Sequence, residues 1–482
     1  MEIFRKKINL FPSGIPEDIK FIASKFMENG FEIYLVGGAV RNLIIYGDKN
    51  IKWDFDFATN AKPEKVIDLF KDKRKGGVFT VPTGLSHGTV SVVIKHGNNF
   101  TNYEITTYRT EDVYVDGRHP KSVSFSSSIL EDLSRRDFTI NAMAYDLFEK
   151  FILDPFGGYE DVKRKLIRSV GDPLIRFKED GLRPVRACRI AAQLGFRIDE
   201  KTFNAIPEVL DVVKKVSMER IKDELMKLLK YAEKPSYGIE LMRKSGILQL
   251  FIPELLEGYD VAQNEFHKYD IYYHNLFSCD AVDKNKPLVR LAALLHDIGK
   301  ARAKKYALQT GIGNVFYNHE VIGEKMSEKI LKRLKFSNSE IKRVQMLVRL
   351  HMFYYTEDWT DGAVRRFLRK FDGDEEFLKD LFELRKGDRI GSGLKNKEAD
   401  IIEKFKERIR KVIEEDNALK VTDLDINGYE IMEHFNIPPS RTIGQMLEYM
   451  LEKVLDNPEL NKKEKLIEIG KEFLEKVRTE NV

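Results

Sequence analysis

Two cysteines, Cys188 and Cys279, are all that 482 residues contain, which excludes a disulfide framework and fits a reducing compartment. No apolar run approaches the about 20 residues that a membrane-spanning helix needs. The opening MEIFRKKINLF lacks the apolar core and small-residue cleavage site of a secretory signal, so a soluble, cytoplasmic protein is expected. Charge imbalance is also missing: the formal net charge of +4 does not announce nucleic-acid binding by itself, and basic residues must be judged by where they cluster. The length is too great for one core, and at roughly 150 residues per domain it predicts three or four units.

What is present begins with the heptapeptide WDFDFAT, Trp53 to Thr59. Read as a strand, it sets Asp54 and Asp56 on one face and Trp53, Phe55 and Phe57 on the other. Two adjacent acids repel unless a cation sits between them, and hard cations such as Mg2+ prefer oxygen ligands. Ahead of it, YLVGGAVR (Tyr34 to Arg41) reads as a buried strand running into a turn. Gly37 and Gly38 let backbone N–H groups approach a polyphosphate, with Arg41 near enough to neutralise it. Alone, a Gly-Gly pair is usually only a turn, and paired acids on a strand are often a solvated edge. Their spacing carries the signal: a metal ion with a triphosphate.

GGAVR followed by DFDFAT resembles the head motif of class II tRNA nucleotidyltransferases and bacterial poly(A) polymerases, a branch of the polymerase-beta superfamily. The pattern usually continues with an acid after the arginine. Here Asn42 stands in its place, which questions a supporting contact to Arg41. Amphipathic spacing predicts helices over residues 15–29 and 62–71, and alternation predicts strands from near Thr89 and over Tyr103 to Tyr108. The second strand places Glu104 on a face with Thr106 and Tyr108. If it lies beside the acidic strand, Glu104 is a third carboxylate near the metal; otherwise it is an ordinary exposed glutamate. The wording PTGLSHGTV, from Pro82, resembles the tRNA-end-adding branch. Arg109 to Phe125 has no sustained period and reads as a long loop, which the resemblance associates with adding the terminal A. Arg135, Arg136 and Asp137 match a motif in which an arginine meets the triphosphate and the aspartate accepts from a ribose hydroxyl.

Between Asp161 and Arg189 nine Lys/Arg face four Asp/Glu, a basic patch that the whole-chain charge conceals. Within it Glu179-Asp180-Gly-Leu-Arg183 is expected to begin a helix, with Asp180 and Arg183 projecting from one side. A carboxylate can accept from the exocyclic amine of C or A while a guanidinium donates to the neighbouring ring nitrogen. U and G present the opposite pattern and would leave buried polar groups unpaired, at a cost of about 1–3 kcal/mol each. By itself the motif is a common helix-start salt bridge; its place after the other motifs points to base reading. Residues 199–255 read as helices serving packing and an RNA-facing scaffold, without chemistry of their own.

Five of nine histidines fall between His267 and His351. LLHDIGK, Leu294 to Lys300, resembles the HD phosphohydrolases, and His274, His296, Asp297 and Asp388 match that family's metal positions. His319 and His351 match the extra ligands of its two-metal members, and imidazoles with carboxylates favour a transition metal. His267 is read as structural. Val421 to Leu466 resembles the C-terminal tail of the tRNA nucleotidyltransferases, with Ser440 or Thr442 capping a helix and Arg441 at a phosphate-friendly helix start.

The resemblance therefore implies an α+β protein: a nucleotidyltransferase head (1–146), a helical neck with the base-reading motif (147–255), an HD domain (256–395) and a helical tRNA-binding tail (396–482). Its expected reaction is template-independent addition of CCA to the tRNA 3′ end from CTP and ATP, with Mg2+ at the head and a transition metal at the HD site. The rivals are an A-only or CC-only enzyme, a poly(A) polymerase, an HD phosphodiesterase or phosphatase, and a non-catalytic RNA-binding protein.

Overall fold

Alternating apolar residues in the N-terminal third assemble a mixed sheet. A computed structural model describes residues 5–49, 55–71, 77–85, 88–111, 123–263, 267–313, 315–393, 399–414 and 420–480. The chain divides into two compact units, residues 1–253 with 333–335, and 254–332 with 336–482.

The first unit contains ten strands that matter here: β1 (Arg5–Lys7), β2 (Ile33–Val36), β3 (Asp56–Thr59), β4 (Val78–Gly84), β5 (Thr89–His96), β6 (Asn99–Thr107), β7 (Arg109–Glu111), β8 (Val123–Phe125), β9 (Ala144–Asp146) and β10 (Phe151–Leu153). Eight form one sheet in the order β1-β10-β9-β2-β3-β6-β5-β4. Within this sheet, among the described residues, only β3 and β6 pair in parallel. One face buries Leu35, Phe57 and Ile105 completely. The helices Glu17–Glu28 and Pro63–Phe70 pack on the sheet, and their Phe26 and Phe70 rings meet at 6.2 Å. Pro63 opens its helix, where its missing N–H costs nothing.

The strand expected from near Thr89 is β5, which begins at that residue, and β4 ahead of it pairs with it as a hairpin. Other local expectations are corrected. The ends of the expected loop Arg109–Phe125 pair as a separate two-stranded sheet, β7 with β8; its interior lies outside the described residues. Tyr108 falls beyond β6 and is fully buried, its hydroxyl donating to Glu32, so it does not share the outlook of Glu104. Trp53 and Asp54 also lie outside the described residues, while Phe55 and Phe57 are buried as their alternation requires.

After β10 the first unit becomes largely helical. The helices Leu182–Leu194 and Met218–Tyr231 pack together, the latter burying Ile221, Leu225, Leu228 and Leu229 at helical spacing. Every described element of the second unit is helical. The helices Ile271–Ala281, Pro287–Leu295, Asn338–Leu350 and Glu375–Gly391 pack against one another, and the last three α-helices share a core built on Ile431, Met446, Met450, Leu451 and Leu466. Among the described residues no helix is long and apolar enough to cross a membrane.

Candidate active site and a second, histidine-rich centre

The parallel register of β3 and β6 sets Asp56 beside Glu104. Paired residues of neighbouring strands share a face, so both carboxylates look out on the same side. Across β3, Asp56 pairs with Val36, the last residue of β2, and the glycine turn follows at once. Gly37 has φ 71°, a left-handed conformation natural to glycine. A Cβ on Gly37 would stand 3.1 Å from Arg136 Nη1, and one on Gly38 would stand 3.3 Å from Arg41 Nη2. The missing side chains are what let two guanidiniums lie over the turn.

Arg41 is buried. Its Nε and Nη2 donate to Asn42 Oδ1 at 3.2 and 2.9 Å, and its Nη1 donates to Asn141. Asn42 thus supplies the supporting contact, but without charge. Burial together with the charge of Arg189 lowers Arg41 to about 10. Arg135 and Arg136 are held differently: Nε and Nη2 of both donate to Asp132, Arg135 to Oδ1 and Arg136 to Oδ2. Asp132 is fully buried; burial alone would raise its carboxyl, but Arg136 and Arg135 lower it. Asp137 is less buried but similarly held. Its Oδ1 accepts from the Phe138 N–H and Asn141 Nδ2, and its Oδ2 from Arg186 Nε and Nη2. Burial raises its carboxyl, yet Arg186 and Asn141 bring it to about 2.

The Glu179 to Arg183 motif begins a helix as expected, and it also closes the one before it. One helix ends at Glu179 and the next starts at Leu182, with Asp180 extended between them. Asp180 Oδ1 accepts from the Leu182 N–H, a local capture that competes with helix continuation. Arg220 grips the same carboxylate at 3.1 and 2.8 Å. Arg183 Nη1 donates to Glu179 and to the Arg176 carbonyl, and its Nη2 donates to the Arg135 carbonyl. One lone pair of Asp180 Oδ2, and the Nε–H and one Nη2–H of Arg183, remain outside these bonds.

Asp56, Glu104, Gly37, Gly38, Arg41, Arg135, Arg136, Asp137, Asp180 and Arg183 line one cavity of about 850 Å3. Glu179 does not line it and stands behind Arg183. Arg186, Arg189, Asn141 and Tyr231 line it too and were not anticipated. Arg186 and Arg189 follow Arg183 at three-residue steps, a helical spacing that the sequence displays. Glu224, which binds Arg189 from the helix Met218–Tyr231, has no such local signal.

In the second unit His274, His296, Asp297, His319, His351 and Asp388 converge and are buried. His274 Nε2 lies 3.1 Å from Asp297 Oδ2 and 3.2 Å from Asp388 Oδ1. His296 Nε2 is 3.3 and 3.5 Å from the same oxygens. His319 and His351 place Nε2 at 3.2 and 3.5 Å from Asp297 Oδ1. The helices Pro287–Leu295 and Asn338–Leu350 end immediately before His296 and His351. Each ring turns its Nδ1 to the carbonyl three residues earlier, Ala293 and Val348, both at 2.7 Å, as His319 does to Phe316 at 2.8 Å. Those carbonyls hold the Nδ1 proton and aim the Nε2 lone pair inward. Gly299 permits the crowding, since a Cβ there would stand 2.2 Å from the His319 carbonyl oxygen.

Asp297 Oδ1 is buried yet accepts no hydrogen bond. A buried acceptor facing imidazole lone pairs fits a divalent cation between them. His267, read from sequence as structural, brings a nitrogen within ligand spacing of His274 and Asp388. Lys300, also unanticipated, lies 2.6 Å from Asp297 Oδ2. Burial lowers His351 to about 4; it also disfavours charge on His296, but Asp297 and Asp388 outweigh it and raise that ring to about 10.

Comparison with known proteins follows the same division. A family model described as the poly A polymerase head domain matches residues 33–168, and one described as a probable RNA and SrmB-binding site of polymerase A matches residues 195–258. A putative tRNA nucleotidyltransferase domain 2 matches residues 315–469. The CCA-adding enzyme of Lactococcus lactis subsp. lactis is 32% identical over 450 residues, covering 92% of this chain and 94% of that one. The chain belongs to the CCA-adding enzyme family. A second member, from Lactobacillus helveticus, is 47% identical over 199 residues, covering 41% of this chain and 46% of its own length. The crystal structure of the Bacillus stearothermophilus CCA-adding enzyme in complex with CTP aligns with a TM-score of 0.68 at 26% identity, covering 97% of this chain and 99% of that one. Membership in the CCA-adding enzyme family implies dependence on a divalent metal. The donor set of the head cavity, with Asp56 and Glu104 on adjacent strands, is of the oxygen type such an ion needs.

In the tail Ser440 occupies the N-cap position of the helix Arg441–Asp456, but neither it nor Thr442 makes the expected capping bond. Arg441 is exposed at that helix start.

Proposed function

We propose that this chain builds or repairs the CCA 3′ end of tRNA from CTP and ATP, without a template and with release of pyrophosphate. The observation that carries this reading is the single cavity that joins Asp56 and Glu104, a glycine turn overlaid by guanidiniums, and the Asp180–Arg183 pair. Gly37, Gly38, Arg41, Arg135 and Arg136 hold the triphosphate; the N–H groups opening the helix Gly38–Tyr46 and the fixed forks favour it. The unoccupied lone pair of Asp180 accepts from the amine of C or A, while Arg183 donates to the ring, with Glu179 behind it. Asp137 serves the ribose. Asp56 and Glu104, with Asp54 two positions earlier in the sequence, are the residues that hold Mg2+. When bound, a pair of such ions supplies activation of the RNA 3′-hydroxyl and charge stabilisation for in-line attack at the α-phosphorus.

Residues 1–146 act as the head, 147–255 as a neck, 256–395 as an HD-type domain and 396–482 as a tail in which Arg441 meets tRNA backbone. Two buried, unpaired cysteines suit a cytoplasmic enzyme. A tRNA transcript lacking its final three nucleotides, given CTP and ATP separately and together, tests the reading. Three nucleotides should be added only from the mixture. Extension by A alone favours an A-adding enzyme or a poly(A) polymerase, and arrest after two C favours a CC-only enzyme.

A second reading rests on the donor-less Asp297 Oδ1: the histidine-rich centre holds transition-metal ions through His274, His296, Asp297, His319, His351 and Asp388, and hydrolyses phosphoesters of nucleotides or RNA ends. His296→Ala should abolish phosphate release and leave nucleotide addition intact.

A further inference from the structure

Six of the nine large apolar side chains that the second unit exposes among its described residues are Tyr306, Leu308, Ile312, Tyr317, Met352 and Tyr354. Scattered singly, such side chains need no explanation; gathered in two short stretches, they mark a surface that a partner covers. Both stretches adjoin the histidine centre. Tyr317 stands two residues before His319, and Tyr354 three after His351. At no more than about 3.6 Å per residue, their Cα atoms lie within about 7 and about 11 Å of those of the two histidines. The rings of His319 and His351 are themselves 5.3 Å apart. Asn318 separates the two roles: its φ of 59° is left-handed, a conformation that asparagine tolerates, and it divides Tyr317, 71% exposed, from His319, 6% exposed.

Charge on the first stretch has one sign. From Ile298 to His319 there are four Lys or Arg and no Asp or Glu. Lys300 is spent on Asp297 and Arg302 on Glu257. Lys304 bonds the Ala262 carbonyl at 2.8 Å, which leaves its charge uncompensated, and Lys305 meets no acid among the described residues. Lys304 Nζ also stands 5.9 Å from the centre of the Phe316 ring, so the basic helix Lys300–Gln309 lies against the residue before Tyr317. Glu320, the first acid beyond the stretch, is engaged by Arg349 at 2.9 Å.

Aromatic rings stack bases of any sequence while ammonium groups follow the phosphates between them, which is how single-stranded nucleic acid is held. A duplex keeps its bases stacked on one another and has none to offer. A protein interface keeps unpaired charge out of its centre. We propose that Tyr306, Tyr317 and Tyr354 form a platform for single-stranded RNA beside the histidine centre, with Lys304 and Lys305 along its phosphates. RNA is the strand meant, because the enzymes of this family work on tRNA. Binding does not require the centre to be hydrolytic. Where it hydrolyses phosphoesters, the second reading above, on which this step rests, the platform makes an RNA strand its substrate in preference to a free mononucleotide. The oxygen of a water then joins the phosphorus of a terminal phosphate, the bond from phosphorus to the ribose oxygen breaks, and that oxygen leaves with a proton of the water as a hydroxyl.

The test uses the full chain and an adenosine decamer of RNA that carries one 4-thiouridine. Irradiation and peptide mapping should place crosslinks at Tyr306, Tyr317 or Tyr354. Tyr317→Ala combined with Tyr354→Ala should lower the yield there about tenfold or more relative to crosslinks elsewhere in the chain. Tyr317→Phe combined with Tyr354→Phe should retain it, since stacking needs the ring and not the hydroxyl. CTP addition to a tRNA transcript lacking its last three nucleotides should stay within about twofold in both variants, which shows that they fold. Crosslinks confined to other parts of the chain overturn the proposal, and so does an equal loss in the Ala and Phe variants. A dimer of the unaltered chain in sedimentation that the Ala variant converts to a monomer assigns the surface to a second copy and also overturns it. If the crosslinks map to the platform but a 3′-phosphorylated decamer with Mn2+ releases no phosphate, the hydrolytic reading fails and the platform stands.

Discussion

Arg135, Arg136, Arg183 and Arg186 in the head cavity each have an acid behind them, whereas His296, His319 and His351 in the second unit each have a backbone carbonyl behind them. Both arrangements fix a side chain by its rear contact and present its front, but they leave different residues of charge. An acid holds a guanidinium in place and offsets part of its field, which under the proposed function lets the cavity bind a triphosphate and still release pyrophosphate. A carbonyl engages only Nδ1, which leaves Nε2 of each ring beside a carboxylate oxygen. Under the proposed function, the cavity serves an anion that comes and goes and the histidine centre a cation that stays.

Separating the two should be possible with one substitution in each. Asp56→Ala should reduce nucleotide addition by about a thousandfold or more, while metal content at the histidine centre, measured by elemental analysis, remains unchanged. Asp297→Ala should do the reverse, removing tightly bound metal and leaving CTP addition within about twofold. Loss of both properties in either variant would mean that the two regions are one functional unit.

The pH dependence sharpens the contrast further. His296 is raised to about 10 without an ion, so below that pH loading the centre displaces a proton. Affinity should therefore rise about tenfold per pH unit between pH 6 and 8, with one proton released per ion in a competition titration. The sign for the ion-free fold is opposite: a raised imidazole contributes stability that is present below about 6.5 and lost as the pH rises through 10. Asp137, brought to about 2, and Arg41, lowered to about 10, keep their charges over pH 6–8, so the pH dependence of CTP binding there should be no steeper than titration of the terminal phosphate of CTP itself accounts for. The smallest effect expected is that of Asp132→Asn. It weakens the hold on two arginines without removing either, and should raise KM for CTP roughly fivefold to tenfold with kcat little changed.

Features written at short range were the ones the sequence displayed. The strand period placed Phe55 and Phe57 in the core, and the three-residue step from Asp180 to Arg183 placed both on the cavity. Features that depend on distant partners were not displayed. The position of Glu104 beside Asp56 rests on a parallel pairing of strands 48 residues apart, and from the sequence it could be stated only as a condition. The helix break at Asp180 arises because its own carboxylate accepts from Leu182 and is held by Arg220, a residue 40 positions later. Arg186 could have been found from its spacing to Arg183. That Asp137 is held by Arg186, and that Glu224 stands behind Arg189, required the fold. In the second unit the six matching positions were legible, but His267 and Lys300 were not separable from ordinary packing.

The three tethered imidazoles carry one more implication. If the centre holds metal as proposed, rings fixed through Nδ1 to backbone carbonyls present Nε2 in one orientation, and exchanging one ion for another would need no reorganisation of the backbone. Selectivity among transition metals would then be decided by rigid spacing and by how quickly solvent can reach the centre, and a chain made in cells short of its preferred ion should capture a substitute and release it slowly.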